Sequence, residues 1–281
     1  MIWLTGATGL LGGWTGRYLR ARGLGVFDDR VELTDAPAVE RALREAKPEA
    51  VIHCAALSAI ADCARDPARA RVVNVDATAT LARLTAALGA RLVHVSTDLV
   101  FDGEAAPYAE GAARAPLSVY GRTKAEAEDA ALAAGSRAVV ARVSLLYGPT
   151  RTARRSFFDG MVVALRDGAP LRLFDDEWRT PLSLRRAAQA LHLLAGADVT
   201  GVVHVGGPQR MSRLEMGRRL AALLHVESPR IEPASRASAP GEPRPRDVSL
   251  DSWAYRERFA ARLDDDGGDD FEAECRAMGV A

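Results

Sequence analysis

Short apolar runs alternate with amphipathic stretches along the first half of the chain. The runs predict strands at Met1–Thr5, Leu24–Phe27, Glu49–His53, Arg91–Val95 and Ala138–Val143. The amphipathic stretches predict helices at about Leu10–Arg22, from Thr34 or Asp35 to Ala46, at Pro67–Leu88 and from Val119 to about Ala134. Strands that alternate with helices pair in parallel, so we expect an α/β fold with a doubly wound parallel sheet.

The second half of the chain has shorter elements and more arginine and proline. Helices are predicted near Phe157–Arg166, Arg185–Ala195 and Arg213–Leu224, and short strands near Leu171–Phe174 and Val202–Val205. The turn-rich stretch from Ser228 to Asp247 is predicted to be a loop, and the acidic stretch from Asp264 to Asp270 a solvated connection. We therefore expect a smaller lobe beside the sheet, with some of its segments returning to the sheet.

Composition excludes several classes of protein. The 281 residues are 48% hydrophobic and 26% charged, and 37 basic side chains balance 37 acidic ones. With no net positive charge, nucleic acid and anionic membranes are not expected as main partners, and no apolar run is long enough to span a bilayer. The odd cysteines, Cys54, Cys63 and Cys275, have no CxxC spacing, so we expect reduced thiols, no metal site and a cytoplasmic location.

A glycine-rich turn follows the first predicted strand and opens the first predicted helix. Gly6, Gly9 and Gly12 have the spacing GxxGxxG. Glycines let such a turn bend sharply and approach a pyrophosphate, while the N–H groups of the helix N-terminus face the anion. No GK[ST] sequence follows, which excludes a P-loop nucleotidase. Residues 1–150 are thus predicted to be a dinucleotide-binding Rossmann domain, and residues 151–281 mainly a substrate-binding lobe.

The end of the second predicted strand bears on the choice between NAD and NADP. Asp28, Asp29 and Arg30 stand there. An acidic side chain favours the free ribose hydroxyls of NAD, whereas an arginine can pair with the 2′-phosphate of NADP. Both types are present, so the sequence leaves NAD and NADP open, with a slight preference for NADPH.

Tyr120 and Lys124 stand four residues apart at the start of a predicted helix, which places them on one face. A phenol with its ordinary pKa near 10 is a poor acid and a poor base at neutral pH. A nearby ammonium favours the phenolate and lowers that pKa. Lysine occurs only twice in the chain, at Lys47 and Lys124, whereas arginine is abundant. The pair therefore indicates acid–base chemistry.

Two further polar residues are candidates. Thr97 follows the fourth predicted strand, where the carboxyl ends of parallel strands face the ligand crevice, and its hydroxyl can bond a substrate carbonyl oxygen. Ser96-Thr97-Asp98 taken alone is equally typical of a turn or a helix cap. Asn74, inside the long predicted helix, is similarly ambiguous.

These motifs together resemble an extended short-chain dehydrogenase/reductase, and within that superfamily the dTDP-4-dehydrorhamnose reductase group. The resemblance covers residues 1 to about 255. Besides the glycine turn, Ser96-Thr97-Asp98 and the Tyr-x-x-x-Lys pair, its matching segments are Leu33-Thr34-Asp35, His53-Cys54-Ala55-Ala56, Val73-Asn74-Val75, Val100-Phe101-Asp102-Gly103, Tyr147-Gly148, Arg179-Thr180-Pro181 and Arg246-Asp247-Val248-Ser249-Leu250-Asp251. The last 25 residues carry no such motif.

The resemblance implies a role for each matching position. Thr97 and Tyr120 would bind the carbonyl oxygen and Tyr120 would deliver the proton, Lys124 would hold the ribose hydroxyls and acidify Tyr120, and Asn74 would support the hydrogen-bond chain. The pyrophosphate would contact Gly6, Thr8, Gly9, Leu11 and Gly12. Glu32 and Leu33 would lie near the adenine, and Ala55 and Ala56 beside the dinucleotide, while Asp29 and Arg30 are the candidates at the ribose. The implied activity is an NAD(P)H-dependent reduction of a carbonyl or oxidation of an alcohol.

The substrate side departs from the group's pattern. Leu99 and Leu145 stand where the rhamnose-forming reductases usually carry Tyr and Trp, which weakens a dTDP-sugar assignment but leaves the redox chemistry untouched. A nucleotide-linked 4-keto sugar is still the first expectation for the small-molecule substrate. Arg179, Arg185 and Arg210 are candidate phosphate partners, although ordinary surface positions are the more common fate of arginines in so arginine-rich a chain.

Two other functions stay open at this point. The group also includes a non-catalytic, NADP-binding regulatory subunit of methionine adenosyltransferase, and the intact Thr97, Tyr120 and Lys124 argue against that function. A sugar epimerase or dehydratase is the other alternative, but a dehydratase should carry an Asp-Glu pair after Ser-Thr, and Asp98-Leu99 lacks it. Because members of the superfamily often pair through helices, a homodimer is a further expectation.

Overall fold

The computed structural model describes residues 1–135, 137–152, 155–263 and 270–280. Most of the acidic stretch predicted as a connection, residues 264–269, lies outside the described residues. The strands in the described part are β1 (Ile2–Thr5), β2 (Val26–Phe27), β3 (Ala50–His53), β4 (Arg91–Thr97), β5 (Ala138–Val143), β6 (Leu146–Tyr147), β7 (Leu171–Phe174), β8 (Trp178–Arg179), β9 (Leu182–Ser183), β10 (Gly201–Val205), β11 (Met211–Ser212) and β12 (Ile231–Ala234).

The α-helices of the same residues connect and flank these strands. They are α1 (Leu10–Ala21), α2 (Ala36–Ala46), α3 (Ile60–Arg65), α4 (Pro67–Arg71), α5 (Ala77–Ala87), α6 (Val119–Ala133), α7 (Phe157–Arg166), α8 (Leu184–Gly196), α9 (Arg213–Leu223), α10 (Trp253–Phe259) and α11 (Phe271–Ala277). No helix in the described ranges combines the length and the apolar character that crossing a membrane would need.

The central sheet has six strands in the order β2-β1-β3-β4-β5-β10, and all of its neighbours pair in parallel. This confirms the doubly wound α/β fold. The strand order reverses between β1 and β3, so the crevice at their carboxyl ends is the expected ligand position in such a sheet. β10 comes from the second half of the chain and pairs with β5 at the edge.

Side chains alternate between the two faces of each strand and build a core on each side. On one face Trp3, Val51, Leu92 and Val140 are buried against α2, α5 and α6. On the other face the core includes residues of α1, α7, α8 and α9 as well as Phe271, Cys275 and Met278 of the C-terminal segment. These three residues, which lie beyond the family motifs, are therefore part of the folded core.

Capping explains where several helices begin. The side chains of Asp35, Ser118, Ser156 and Ser212 accept hydrogen bonds from backbone N–H groups of the first turns of α2, α6, α7 and α9. Each satisfies a donor that has no partner within its own helix. These starts agree with the predicted ones to within about two residues.

Two predictions need correction. The helix predicted over Pro67–Leu88 contains a π-helical turn at Val72–Asp76 between α4 and α5, a local widening that apolar periodicity does not reveal. The loop predicted from Ser228 to Asp247 contains β12, which pairs in parallel with β7. β12 is a half-exposed strand of a two-stranded ladder and carries Pro233, so its sequence is typical of a turn.

Candidate active site

The glycine turn connects β1 to α1 at the point where the sheet order reverses. Gly6 has a φ of +72°, and a Cβ on it would lie 2.6 Å from the Ala55 backbone nitrogen. A Cβ on Gly12 would lie 2.1 Å from the Gly6 carbonyl oxygen. Because both approaches are to backbone atoms, only glycine fits. α1 begins after Gly9 without a side-chain cap, which leaves its first N–H groups available to an anion.

A cavity of about 240 Å³ opens beside this turn. Its lining includes eight residues predicted to bind a dinucleotide: Gly6, Thr8, Asp29, Arg30, Glu32, Leu33, Ala55 and Ala56. Three more of the predicted residues, Gly9, Leu11 and Gly12, belong to the turn and the first turn of α1, and the Leu11 side chain is buried in the core. The last two, Tyr120 and Lys124, lie on α6 and do not line this cavity. A glycine turn that opens a helix beside a cavity is the arrangement that a dinucleotide-binding site requires.

The polar residues at the outer end of this cavity have different partners. Asp28 forms an ion pair with Arg20, with 2.5 Å between the carboxylate and the guanidinium. Glu32 accepts bonds from the Thr34 hydroxyl and N–H, and these bonds lower the pKa of the carboxyl. Asp29 and Arg30 are exposed. Arg30 therefore has the accessibility that a partner for a ribose 2′-phosphate needs.

Thr97 and Tyr120 meet at the carboxyl end of β4. Thr97 is 7% exposed; its hydroxyl donates to the Asp98 carboxylate and accepts from the Leu99 N–H. Burial and the Asp98 charge raise the pKa of Tyr120 above its ordinary value, while the nearby Thr97 hydroxyl acts in the opposite direction. The lowering of this pKa expected from Lys124 is therefore not present; the phenol keeps its proton at neutral pH.

Lys124 lies one turn along α6 and is 2% exposed. Its ammonium lies 3.1 Å from Nε2 of His94, which stands on β4. Burial lowers the pKa of Lys124 to about 8, and the charge of Glu128 opposes that shift.

Asn74 lies in the π-helical turn, and the widened backbone there directs its amide inward. Its Oδ1 accepts the Leu57 N–H at 2.8 Å, and its Nδ2 donates to the Leu57 carbonyl and to Thr123 Oγ1. Through Thr123 it supports α6 between Tyr120 and Lys124. These contacts make Asn74 a brace of the loop after β3; among the described residues it forms no hydrogen bond with Lys124.

A buried cluster of charges adjoins Thr97 and was not predicted from the sequence. Asp98, 1% exposed, accepts bonds from Ser144 and Arg179, and Arg179 also approaches Glu177 at 3.4 Å. Glu177 is further paired with Arg244 at 2.5 Å, and these cations lower its pKa to about 2. The partners are 81 and 67 residues apart, so no local pattern signals them.

The predicted substrate residues lie in different places in the structure. Leu99 and Arg179 line one small pocket of about 10 Å³, across which Pro243 and Arg244 lie. Leu145 is not among the residues that line this pocket; it packs against the larger core. Arg179 is buried, so the expectation of an ordinary surface arginine is wrong for it. The other two candidate phosphate partners donate to carboxylates: Arg185 to Glu274 and Arg210 to Asp247.

Candidate metal ligands and the cysteines were both located in the described ranges. No group of three or more His, Cys, Asp or Glu side chains there has the geometry to hold a metal ion. The thiols of Cys54, Cys63 and Cys275 are free.

Comparison with known proteins connects this geometry to a family. The chain is 33% identical over 264 residues to a dTDP-4-dehydrorhamnose reductase of Mycobacterium tuberculosis, covering 89% of this chain and 85% of that protein. It is 31% identical over 271 residues to methionine adenosyltransferase 2 subunit beta of Pongo abelii, covering 89% of this chain and 80% of that protein. The two relatives thus have different functions.

Solved structures share the architecture. A dTDP-4-dehydrorhamnose reductase of Clostridium acetobutylicum superposes with a TM-score of 0.83 at 27% identity, covering 90% of each chain. A dTDP-4-dehydrorhamnose reductase of Bacillus anthracis, solved in complex with NADP, superposes with a TM-score of 0.85 at 22% identity, covering 92% of each chain. A family model described as the RmlD substrate binding domain matches residues 1–265. The chain therefore belongs to the RmlD substrate-binding domain family, in agreement with the resemblance found in its motifs.

Proposed function

We propose that the protein is an NADPH-dependent reductase of a nucleotide-linked 4-keto sugar. The observation that carries the proposal is the position of Thr97 at the carboxyl end of β4, close enough to the buried Tyr120 phenol to act on its pKa, with Lys124 one turn further along α6. Family membership supports the same reaction, because relatives that share a third of the residues are named as 4-keto reductases.

The residues around the cavity would hold the cofactor. The first N–H groups of α1 face the pyrophosphate, Leu33 and Ala56 flank the adenine and ribose side, and the exposed Arg30 takes the 2′-phosphate, which favours NADPH over NADH. When bound, NADPH supplies the hydride. Lys124 holds the ribose hydroxyls, and its ammonium form is the one that donates to them.

Side chains of the protein would supply the proton that the reduction consumes. Thr97 donates a hydrogen bond to the substrate carbonyl oxygen, and Tyr120 transfers its phenolic proton to that oxygen. A raised pKa keeps Tyr120 protonated at neutral pH, which is the state that reduction of a carbonyl requires. The Asp98 carboxylate disfavours the phenolate form of Tyr120. Arg179 is paired with Asp98, and its positive charge partly offsets that effect.

The test measures the oxidation of NADPH and of NADH with dTDP-4-dehydrorhamnose and a panel of other carbonyl compounds. We expect turnover with NADPH, and a loss of about 100-fold or more in kcat for Tyr120→Phe because general acid catalysis contributes that much. NADPH affinity should stay within a few-fold. Tyr255→Phe, which removes only the hydroxyl of a buried tyrosine in α10 outside the site, is the matched control and should keep turnover.

A second candidate function is regulation of a methionine adenosyltransferase. It is favoured by the likeness to methionine adenosyltransferase 2 subunit beta over 89% of this chain. Under this function NADPH would bind but no carbonyl would be reduced, and Tyr120→Phe would have no kinetic effect. The discriminating measurement is size-exclusion chromatography with light scattering on a mixture with a methionine adenosyltransferase catalytic subunit. The same measurement on the chain alone tests the expected homodimer.

A further inference from the structure

Buried polar side chains form two neighbouring rows on the face of the sheet that α6 packs against. Ser96, Arg142 and His204 are in register in one row. Thr5, His53 and His94 are in register in the other, which ends at Val140 on β5. All six polar side chains are buried, and such groups are costly unless each has a partner.

Lys124 reaches the second of these rows at His94. Its Nζ lies 3.1 Å from Nε2 of a ring that is fully buried on β4. The other ring nitrogen, Nδ1, is buried and has no hydrogen-bond partner among the described residues. A second proton on the ring would be an uncompensated buried charge, so the pKa of His94 lies well below its ordinary value. The neutral ring can accept from Lys124 but cannot take over its charge.

Other ionisable groups face the ammonium from neighbouring elements. The His53 ring on β3 lies 5.3 Å from that of His94 and is itself bonded to Thr5 and Thr78. Cys54 follows it and keeps its proton, since burial raises the pKa of the thiol to about 12.

The carboxylate on the same helix, Glu128, is already engaged. It accepts two bonds from Arg142, one from Ser96 and one from Arg114. Glu128 therefore acts on Lys124 only through its charge, and among these groups His94 is the direct hydrogen-bond partner of the ammonium.

We propose that His94 is a positioning residue for Lys124: its Nε2 accepts a hydrogen bond that holds the buried amine in the ammonium form and directs it to the crevice. The proposal deepens the proposed function, because the ammonium is the form that holds the ribose hydroxyls of the cofactor. Without the acceptor, the buried ammonium would lose its only direct partner among the described groups and would release its proton more easily.

The two lysines of the chain allow a direct test that needs no substrate. Protein labelled with ¹⁵N-lysine should give two side-chain NMR signals, and Lys47→Arg identifies that of Lys124. In the wild-type protein Lys124 should titrate with a pKa of about 8. ¹⁵N-histidine labelling should show His94 with the hydrogen on Nδ1 and a bare, accepting Nε2. A hydrogen on Nε2 while Lys124 is charged would overturn the proposal without any variant.

Two substitutions of His94 separate the hydrogen bond from the space it fills. His94→Leu removes the acceptor at similar volume and should lower the pKa of Lys124 by at least one unit, a tenfold change in the ratio of ammonium to amine. His94→Gln retains an acceptor and should keep the pKa within about 0.3 unit of wild type. Equal pKa values in the Leu variant and the wild type would refute the role, and so would equal shifts in both variants. Far-UV circular dichroism and urea unfolding report whether each variant is folded.

Kinetics supply the second readout. Turnover should fall as pH rises through the pKa of Lys124, above about pH 8 in the wild type and in His94→Gln, and at least one pH unit lower in His94→Leu. An inactive wild-type protein would contradict the proposed function, and the NMR comparison would still decide the role of His94. Conversely, loss of activity in Tyr120→Phe with an unchanged Lys124 titration in His94→Leu would reject this inference alone.

Discussion

Gly12 offers the sharpest test of the glycine turn, because replacing it adds a single carbon atom. The Cβ of Gly12→Ala would lie 2.1 Å from the Gly6 carbonyl oxygen, whereas ordinary contact begins at 3.4 Å. To remove this overlap, α1 and the turn must move apart by about 1.3 Å, the difference between the two distances. Both partners are backbone, so no side chain can rotate away.

The magnitude follows from two opposing effects. Alanine in a helix stabilises by about 0.5–1 kcal/mol relative to glycine, and overpacking costs about 1–3 kcal/mol. We expect Gly12→Ala to lower the free energy of unfolding by about 1–2 kcal/mol. The same displacement moves the N–H groups of α1 from the pyrophosphate. Losing one charge-assisted hydrogen bond costs about 1.5–3 kcal/mol, so NADPH affinity should fall by about tenfold to a hundredfold.

The assay combines urea unfolding with a fluorescence titration of NADPH. Gly160→Ala is the matched control, since Gly160 is also in a helix, α7, and a Cβ there would meet no heavy atom within 4 Å. It should stabilise the fold by up to about 1 kcal/mol and leave NADPH binding unchanged. If Gly12→Ala were as stable as Gly160→Ala and bound NADPH with wild-type affinity, the steric account of the turn would be wrong.

Three further predictions concern buried charges and the C-terminal segment. Arg142→Leu should destabilise the fold by about 3–5 kcal/mol in urea unfolding because it leaves Glu128 buried without its main partner, and the double variant with Glu128→Leu should recover much of that loss. Phe271→Ala, which empties a fully buried position, should cost about 3–5 kcal/mol, and a cost below 1 kcal/mol would show that α11 is not part of the core. Glu177 has its pKa lowered from 4.5 to about 2, so its contribution of about 3 kcal/mol is present above pH 4.5 and lost as pH falls toward 2; Glu177→Gln should flatten the pH dependence of unfolding over that interval.

The glycine turn was predictable because its signals are local. A strand, three glycines and a helix start lie within twelve residues, and the turn conformation itself demands glycine. The Tyr120 and Lys124 pair was predictable for the same reason, since helical periodicity places them on one face. Helix starts followed from capping residues such as Asp35 and Ser118, whose hydrogen bonds reach only three residues along the chain.

Alone, then, the sequence determined the alternation of strands and helices, the glycine turn and the Tyr-Lys pair, because a few neighbouring residues dictate each of them. Only the tertiary structure decided which charges became partners: Asp98 with Arg179, Glu274 with Arg185, and Lys124 with His94. Such pairs depend on strand register and on how helices lie against the sheet. These are properties of the whole packed chain, and a buried ionisable group takes its pKa from the neighbours that packing supplies.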